Sequence, residues 1–231
     1  MFKTFKTLIN DDVNVSAPLE IYSKLNAKNL LLVDSLVSDA QLFVNSSSDN
    51  TTTIVYSYDS TREDLLNAIK NNFSNIDRIA LVFHDNVQNG KEFLENSVLV
   101  DSNNIKEATN FKFLTKIIND FQVKNIDFLA CNTLQYSEWK LFYQYLNEAT
   151  GVIVGASNDK TGNIKYGADW LLESTNENIK NVYFNSNIDN YTSYLDSTIS
   201  QSGGILQFRQ NGSNIEYYDS NTSSWTTPAS W

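Results

Sequence analysis

Two stretches of sequence decide the fold, IALVFHD at residues 79–85 and DFLACNT at residues 127–133. Each begins as the continuous apolar run that is typical of a strand buried on both faces of a parallel sheet. The single histidine of the chain, His84, follows the first run, and the single cysteine, Cys131, follows the second. Because active sites of open parallel sheets lie beyond the carboxyl ends of the strands, we expect these two residues to share one site.

Further strands and helices are predicted around these two runs. The alternation of strands with helices of about 10 to 15 residues indicates parallel βαβ units, whose right-handed crossovers place helices on both faces of a sheet. The sequence therefore predicts the α/β class, with a doubly wound, mostly parallel sheet flanked by helices on both faces and followed by a C-terminal β-hairpin. The other predicted strands cover 29–34, 53–58, 152–156, 170–173 and 181–184, and the predicted helices cover 35–45, 61–73, 113–121 and 139–149.

Composition divides the chain into three parts. Residues 1–27 are interpreted as an irregular lead-in, residues 28–186 as the α/β domain, and residues 187–231 as a tail rich in Asn, Ser, Thr and aromatic residues. Within the tail, QNGSN at 210–214 separates two alternating runs, and Asn-Gly in that position predicts the turn of a β-hairpin.

Charge and composition exclude several classes of function. Lys and Arg total 17 and Asp and Glu total 27, and the resulting net charge of -10 repels nucleic acids and anionic membranes. One cysteine permits no intrachain disulfide, and one Cys with one His is too few for a structural zinc site, so neither a metal nor a cofactor is expected. No signal peptide and no run of about 18 apolar residues is recognised, which leaves a cytoplasmic location or a particle or surface location reached by a non-classical route.

The two residues at the strand ends can form a thiol–imidazole dyad. A thiolate is the nucleophilic form of cysteine, and a nearby imidazole can take the thiol proton and later donate one to a leaving amine. Backbone N–H groups just after His84, and that of Cys131 itself, are candidate donors to an oxyanion, which makes Asp85, Asn86 and Asn132 near-site candidates. Alternatively, Cys131 is a small buried hydrophobic residue and His84 a polar residue with its hydrogen bonds satisfied.

Four segments resemble an uncharacterised domain family found at the N-terminal ends of very large bacterial surface and adhesin-like proteins, a relative of the caspase, CHAT and gingipain cysteine peptidases. The last of the four carries the order of small-residue turns most specific to that family. The segments are LLLVDSLVSDAQLFV at 30–44, IALVFHD at 79–85, DFLACNT at 127–133 and EATGVIVGASNDKTGNIKYGADWLLE at 148–173.

The resemblance implies a caspase-like sheet in which His84 is the general base and Cys131 the nucleophile. The related peptidases place Gly directly after the His, where this sequence has Asp85. The resemblance also implies that the loop after the fifth strand shapes the pocket for the residue before the scissile bond. Asn158 and Asp159 are therefore pocket candidates, and a solvated turn is the alternative interpretation of Asp159. Gly155, Gly162 and Gly167 are predicted to be turn glycines.

Two functions remain open at this point. The first is a caspase-like cysteine peptidase or self-processing module that uses a Cys–His dyad on a protein or peptide substrate. The second is a catalytically silent caspase-like domain that serves as a structural or interaction component of a surface layer or virus particle. In the second case the C-terminal tail is the candidate surface for an assembly partner.

Overall fold

The computed structural model describes residues 19–84 and 91–195 with their side chains, and the backbone of residues 206–211, 214–219 and 224–226. Contacts within the chain divide it into two compact units, Met1–Asp196 and Ser197–Trp231. Each unit is described by itself below.

The first unit is built on a six-stranded sheet with the order β1-β3-β2-β4-β5-β6. All neighbouring strands from β3 to β6 are parallel, and β1 pairs antiparallel with β3 at the edge. The mixed α/β fold with a mostly parallel sheet is thus confirmed. The strands are β1 Glu20–Tyr22, β2 Asn29–Asp34, β3 Thr51–Tyr56, β4 Arg78–Val82, β5 Asn125–Leu129 and β6 Ile153–Ala156.

Five α-helices lie in the described residues, and they cover both faces of the sheet. Alternate residues of β2 belong to different buried clusters, with Leu30 and Leu32 in one and Leu31 and Val33 in the other. The first cluster contains the apolar faces of α2, α3 and α4, and the second contains buried residues of α1 and α5. The helices are α1 Ala40–Ser46, α2 Arg62–Asn72, α3 Thr109–Asp120, α4 Ser137–Thr150 and α5 Lys180–Tyr183.

Two predicted segments differ from the structure. Residues 181–184 were expected to form a strand, but α5 occupies this segment because a single helical turn buries Tyr183 against the sheet. The expected lead-in contains β1, whose three residues extend the sheet by pairing with β3. Near the predicted strand at 170–173, the structure has β7 Leu171–Leu172 paired with β8 Glu177–Asn178.

Charged residues cross-link the face of the sheet that is covered by α1 and α5. Arg78 of β4 donates from Nη2 to Asp127 Oδ2 at 2.9 Å and from Nη1 to Glu177 Oε1 at 2.7 Å. Tyr183 of α5 donates its hydroxyl to the same Asp127 carboxylate, which is fully buried. Burial and the charge of Asp127 raise the pKa of Tyr183. The network fixes α5 and β8 to the middle of the sheet.

The second unit contains a three-stranded antiparallel sheet in the order β11-β10-β9. Its strands are β9 Leu206–Asn211, β10 Asn214–Asp219 and β11 Ser224–Thr226. Residues 212–213 of the predicted Asn-Gly turn lie outside the described residues, so that turn stays a prediction. Among the helices that the structure describes, none combines the length and apolar character needed to cross a membrane.

Candidate active site

His84 and Cys131 follow adjacent parallel strands. Val82 of β4 and Leu129 of β5 are register partners, and each candidate residue lies two positions beyond its strand's member of that pair. In the sheet, β3 lies on one side of β2 and β4 lies on the other side. The chain therefore runs from β2 to β3 and then crosses over β2 to reach β4. Ligands of open α/β sheets bind where the connections diverge in this way, beyond the carboxyl ends of the strands. The connections diverge between β2 and β4, so the strand order places His84 beside that point and Cys131 one strand further along the same carboxyl edge.

The half-buried His84 ring is held by the loop after β2. Its Nε2 atom accepts a hydrogen bond from the backbone N–H of Ser38 at 3.2 Å. The Ser38 hydroxyl in turn lies 3.2 Å from the Tyr191 hydroxyl. Because a nitrogen that accepts a hydrogen bond carries no proton, the neutral ring in this arrangement is protonated at Nδ1.

Cys131 lies in the second buried cluster with an exposed fraction of 0%. Its Sγ atom accepts a hydrogen bond from the Thr161 N–H at 3.3 Å and lies 3.9 Å from the Thr161 carbonyl oxygen. The Thr161 hydroxyl donates to the Ala130 carbonyl at 3.1 Å, which fixes residue 161 beside the end of β5. An N–H directed at the sulfur stabilises negative charge there, as a thiolate requires.

A segment of the chain's own backbone lies against Cys131. The Cys131 N–H donates to the Leu195 carbonyl at 3.2 Å, and the Leu195 N–H donates to the Thr161 carbonyl at 2.8 Å. One residue pair further along, Gly162 and Tyr194 form an antiparallel bridge, and the Asn163 N–H donates to the Ser193 carbonyl at 3.3 Å. Residues 193–195 are therefore paired as an extended strand with residues 161–163.

Close backbone approach at this pairing depends on Gly162. Its φ is +151°, and a Cβ atom there would lie 2.7 Å from Tyr194 Cα and 2.9 Å from the Ser193 carbonyl oxygen. The glycine was expected in a turn, but it lies in a bridged segment. Gly167, in contrast, follows the 3₁₀ turn Ile164–Tyr166 with φ +76° and open space around it, as a turn glycine should.

The side chain of Asn163 fastens the chain that leads into the segment. Its Nδ2 atom donates to the Asp189 carbonyl at 3.0 Å and to the Tyr191 carbonyl at 2.5 Å. Its Oδ1 atom accepts from the Lys165 N–H at 2.9 Å. One buried side-chain amide thus connects the turn that follows Asn163 to the chain that leads into residues 193–195.

The remaining predicted site residues lie around this centre with their groups already engaged. Asn132 has a left-handed backbone, with φ 58°, and its N–H donates to the Asp159 carbonyl at 2.8 Å. The Asn158 N–H donates to Glu173 Oε2 at 2.8 Å, and the exposed Asp159 carboxylate accepts from the Ser157 hydroxyl at 3.1 Å. Asp85 and Asn86 lie outside the described residues.

Three carboxylates meet near the Asp159 loop. Oxygen atoms of Asp159, Asp169 and Glu173 all lie within 4.8 Å of one another. Partial burial and the charges of Glu173 and Asp169 raise the pKa of Asp159. Carboxylate oxygens of this kind could reach one hard cation, but exposed acidic groups are common without an ion. The cluster alone does not make a metal site, and the expectation of no metal stays a prediction.

A buried ion pair lies at the end of β2. Asp34, the last residue of β2, pairs with Lys91, and both side chains are nearly inaccessible to solvent. Burial and the Asp34 charge raise the pKa of the neighbouring Tyr56. The pair holds Lys91 against the carboxyl end of β2, the strand that precedes Ser38.

Sequence reasoning missed four residues of the centre, Ser38, Thr161, Tyr191 and Leu195. Thr161 and Gly162 do lie in the block that most strongly resembles the uncharacterised family. Nothing in the sequence indicated that Tyr191 and Leu195 return to Cys131, because they lie in the segment interpreted as a tail.

Comparison with protein families matches residues 30–195, more than half of the chain, to the family described as a domain of unknown function, DUF4347. The matched range contains His84, Cys131 and the paired segments 161–163 and 193–195. Comparisons with the curated proteins and with solved structures gave no match. The chain belongs to the DUF4347 family.

Proposed function

We propose that this DUF4347 domain is a caspase-like cysteine peptidase, with Cys131 as the nucleophile and His84 as the general base. The observation that carries the proposal is the extended segment at 193–195, whose Leu195 carbonyl accepts the Cys131 N–H. A peptidase must hold its substrate extended and direct an N–H at the carbonyl oxygen that becomes negative. The backbone of residues 161–163 and the Cys131 N–H do both for the segment at 193–195.

The surrounding groups fit the steps of such a reaction. The Thr161 N–H at 3.3 Å favours a negative charge on Sγ. The Cys131 N–H stabilises the oxyanion formed when the sulfur attacks a carbonyl carbon. His84, on the adjacent strand, takes the thiol proton and returns it to the leaving amine. The strand order, with these two residues on neighbouring parallel strands, is the further support for a caspase-like arrangement.

The Ser38 contact defines a resting state for this chemistry. While Nε2 accepts the Ser38 N–H, the neutral ring carries its proton on Nδ1 and has no lone pair available for the thiol proton. A doubly protonated ring would direct an N–H at the Ser38 N–H, which is unfavourable. His84 therefore acts as a base only after this contact opens, and turnover requires movement of the loop after β2.

One set of observations favours the second function, a catalytically silent caspase-like domain that serves as a structural or interaction component of a surface layer or virus particle. Cys131 is fully buried, and Leu195 already occupies its N–H. In a silent module these contacts are permanent packing that closes the sheet edge, and the chemistry of the two residues is unused.

The pH dependence of Cys131 alkylation separates the two functions. Iodoacetamide reaches Sγ only when the segment at 193–195 leaves, so the observed rate is the product of an opening equilibrium and the reactivity of the exposed sulfur. A working dyad keeps the alkylation rate high below pH 7, where an ordinary thiol is almost fully protonated. We expect His84→Ala to lower the rate below pH 7 at least tenfold and to leave the rate near pH 9 almost unchanged.

Two controls make the result specific. His84→Gln retains a polar side chain of similar size without a titratable group, and it should behave as His84→Ala does. The thermal midpoints of the variants show whether the opening equilibrium has changed. An alkylation profile that follows an ordinary thiol in the unmodified chain and in both variants rules out the dyad and leaves the silent module.

A further inference from the structure

We infer that residues 193–195 are the peptidase's own substrate, and that the peptide bond after Leu195 is the bond that Cys131 cuts. This inference rests on the proposed function, because it takes Cys131 as a nucleophile. It goes further by naming the bond, the residue that precedes it and the product.

The register of the segment selects the bond. Within the described backbone, the Cys131 N–H donates to the Leu195 carbonyl oxygen. The Leu195 N–H donates to the Thr161 carbonyl oxygen. These two hydrogen bonds, of 3.2 and 2.8 Å, hold Leu195 at its carbonyl oxygen and at its N–H. The Ser193 carbonyl on the Asn163 N–H fixes the strand two residues earlier, so a slip of one residue would break all three bonds. The carbonyl carbon presented to Cys131 is therefore that of Leu195.

Burial of the Leu195 side chain defines the substrate class. The side chain is 0% exposed and lies in the same buried apolar cluster as Cys131 and Trp170. A pocket of this kind takes a medium-sized apolar residue before the scissile bond and excludes a charged one. Asp159, a pocket candidate from the resemblance, is exposed, and its contacts are to the Ser157 side chain and the Asn132 N–H.

The bond changes balance with water as the co-reactant. Once Nε2 of His84 is released from the Ser38 N–H, the Cys131 thiol proton moves to that nitrogen, the sulfur bonds to the Leu195 carbonyl carbon, and the carbonyl electron pair moves to the oxygen held by the Cys131 N–H. Collapse breaks the C–N bond, and the imidazolium donates its proton to the departing amine of Asp196. Water then hydrolyses the thioester, leaving a Leu195 carboxylate and regenerating the thiol.

The cut coincides with two independent boundaries. The first compact unit ends at Asp196, and the family match ends at residue 195. Cleavage after Leu195 therefore separates nearly all of the first unit, with the whole family domain, from residues 196–231. The product is a mature domain and a released C-terminal unit.

The test follows the mass of the purified full chain during incubation at pH 7, with identification of new N-termini. We expect two fragments, residues 1–195 and 196–231, with Asp196 as the new N-terminus. Cys131→Ala should stay intact. Gly162→Ala, whose added Cβ atom meets Ser193 and Tyr194, should slow cleavage at least tenfold. Gly167→Ala adds a Cβ atom at another positive-φ glycine, with φ +76° and open space around it, and should cleave at the unmodified rate.

Each outcome decides the inference, and it does so separately from the proposed function. Fragments that end at Leu195 in the unmodified chain, and that do not form in the Cys131→Ala variant, support the inference. An intact chain, or a Cys131-dependent cut elsewhere, overturns it, and the proposed function then stands if alkylation of Cys131 still depends on His84. If the chain is intact and Cys131 reacts as an ordinary thiol, both are overturned. Cleavage is compared at a temperature well below the thermal midpoints of both glycine variants, so the Gly162→Ala result does not come from unfolding.

Discussion

At the scale of single residues, Asn163 holds the chain that leads into the segment beside Cys131. Its buried amide satisfies the carbonyls of Asp189 and Tyr191 and accepts the Lys165 N–H. Asn163→Ala leaves these groups without their partner, so we expect the free energy of unfolding to fall by about 1–3 kcal/mol. Because the segment that ends at Leu195 is then less firmly held, alkylation of Cys131 by iodoacetamide should become several-fold faster.

Asn110 provides a matched control for this prediction. Its side chain is also a buried amide with three hydrogen bonds, accepting from Arg62 Nη1 at 2.8 Å and donating to Ser97 Oγ at 2.9 Å and to the Val98 carbonyl at 2.8 Å. Since none of these partners belongs to residues 161–163 or 189–195, Asn110→Ala should lower stability by a similar amount and leave the alkylation rate of Cys131 unchanged. Equal acceleration in both variants would show that general destabilisation, and not release of the segment, exposes the sulfur.

The sequence predicted the positions of His84 and Cys131 because each follows a clear apolar run, and parallel strands bring their carboxyl ends together. It could not predict the groups that contact them. Ser38 reaches His84 across 46 residues of sequence and Tyr191 across 153. Such contacts depend on loop conformations, which have no periodic signal.

At the scale of elements, strands β5 and β6 approach closely at Gly155. This glycine, predicted to be in a turn, lies inside β6 opposite Asp127. A Cβ atom there would collide with Asp127 Oδ1 and would lie 2.7 Å from Leu172 Cδ1. Since both neighbours are buried, Gly155→Ala should lower the free energy of unfolding in urea by about 1–3 kcal/mol or more.

Gly151 is the comparison for this variant. It ends α4 with φ +73° and has nothing within 4 Å of an added Cβ atom. Gly151→Ala should therefore cost only the strain of the left-handed conformation, about 1 kcal/mol. If Gly155→Ala is no more destabilising than Gly151→Ala, the sheet at Asp127 is less tightly packed than described.

Long periodic elements were predicted well and short ones were not. The helices α2, α3 and α4 show apolar residues at helical spacing, and each was predicted within a few residues of its ends. Helix α5 has only four residues, too few for a period, and Val182 and Tyr183 favour a strand by intrinsic propensity. Its helical form comes from burial of Tyr183 and from the hydrogen bond to Asp127, which are tertiary contacts.

At the scale of the whole molecule, buried tyrosines set an upper pH limit for stability. Burial raises the pKa of Tyr56, Tyr143 and Tyr183, and it raises that of Tyr191 to about 12. Above the ordinary value of 10.0, the unfolded chain loses these protons while the folded chain keeps them. Stability is therefore fully present below pH 10 and falls as the pH rises, by up to about 1.4 kcal/mol per pH unit for each tyrosine.

Urea unfolding between pH 8 and pH 11 checks this prediction. Tyr191→Phe removes one titrating group together with the hydroxyl contact to Ser38, so its stability should decline less steeply with pH than that of the unmodified chain. A free energy of unfolding that stays constant to pH 11 would contradict the burial of these hydroxyls.

The organisation of the whole chain was only partly visible in the sequence. The shift in composition near residue 186 suggested a boundary, but the first unit extends to Asp196. Ile188, Tyr191 and Leu195 belong to its buried core despite their polar surroundings in sequence. Composition averaged over a window cannot detect three isolated core residues, and this is why the segment that contacts Cys131 was assigned to the tail.

The most direct test of the Cys131 centre compares two reagents on the same protein, iodoacetamide and a Thr-Ser-Tyr-Leu chloromethyl ketone that reproduces residues 192–195. Both reagents reach Cys131 only when the segment at 193–195 opens, so the ratio of their rates measures recognition of the peptide by the backbone of residues 161–163. We expect the peptide reagent to label Cys131 at least tenfold faster, with the advantage lost in Gly162→Ala and retained in Gly167→Ala. Equal rates for the two reagents would contradict a peptide-binding catalytic centre at Cys131.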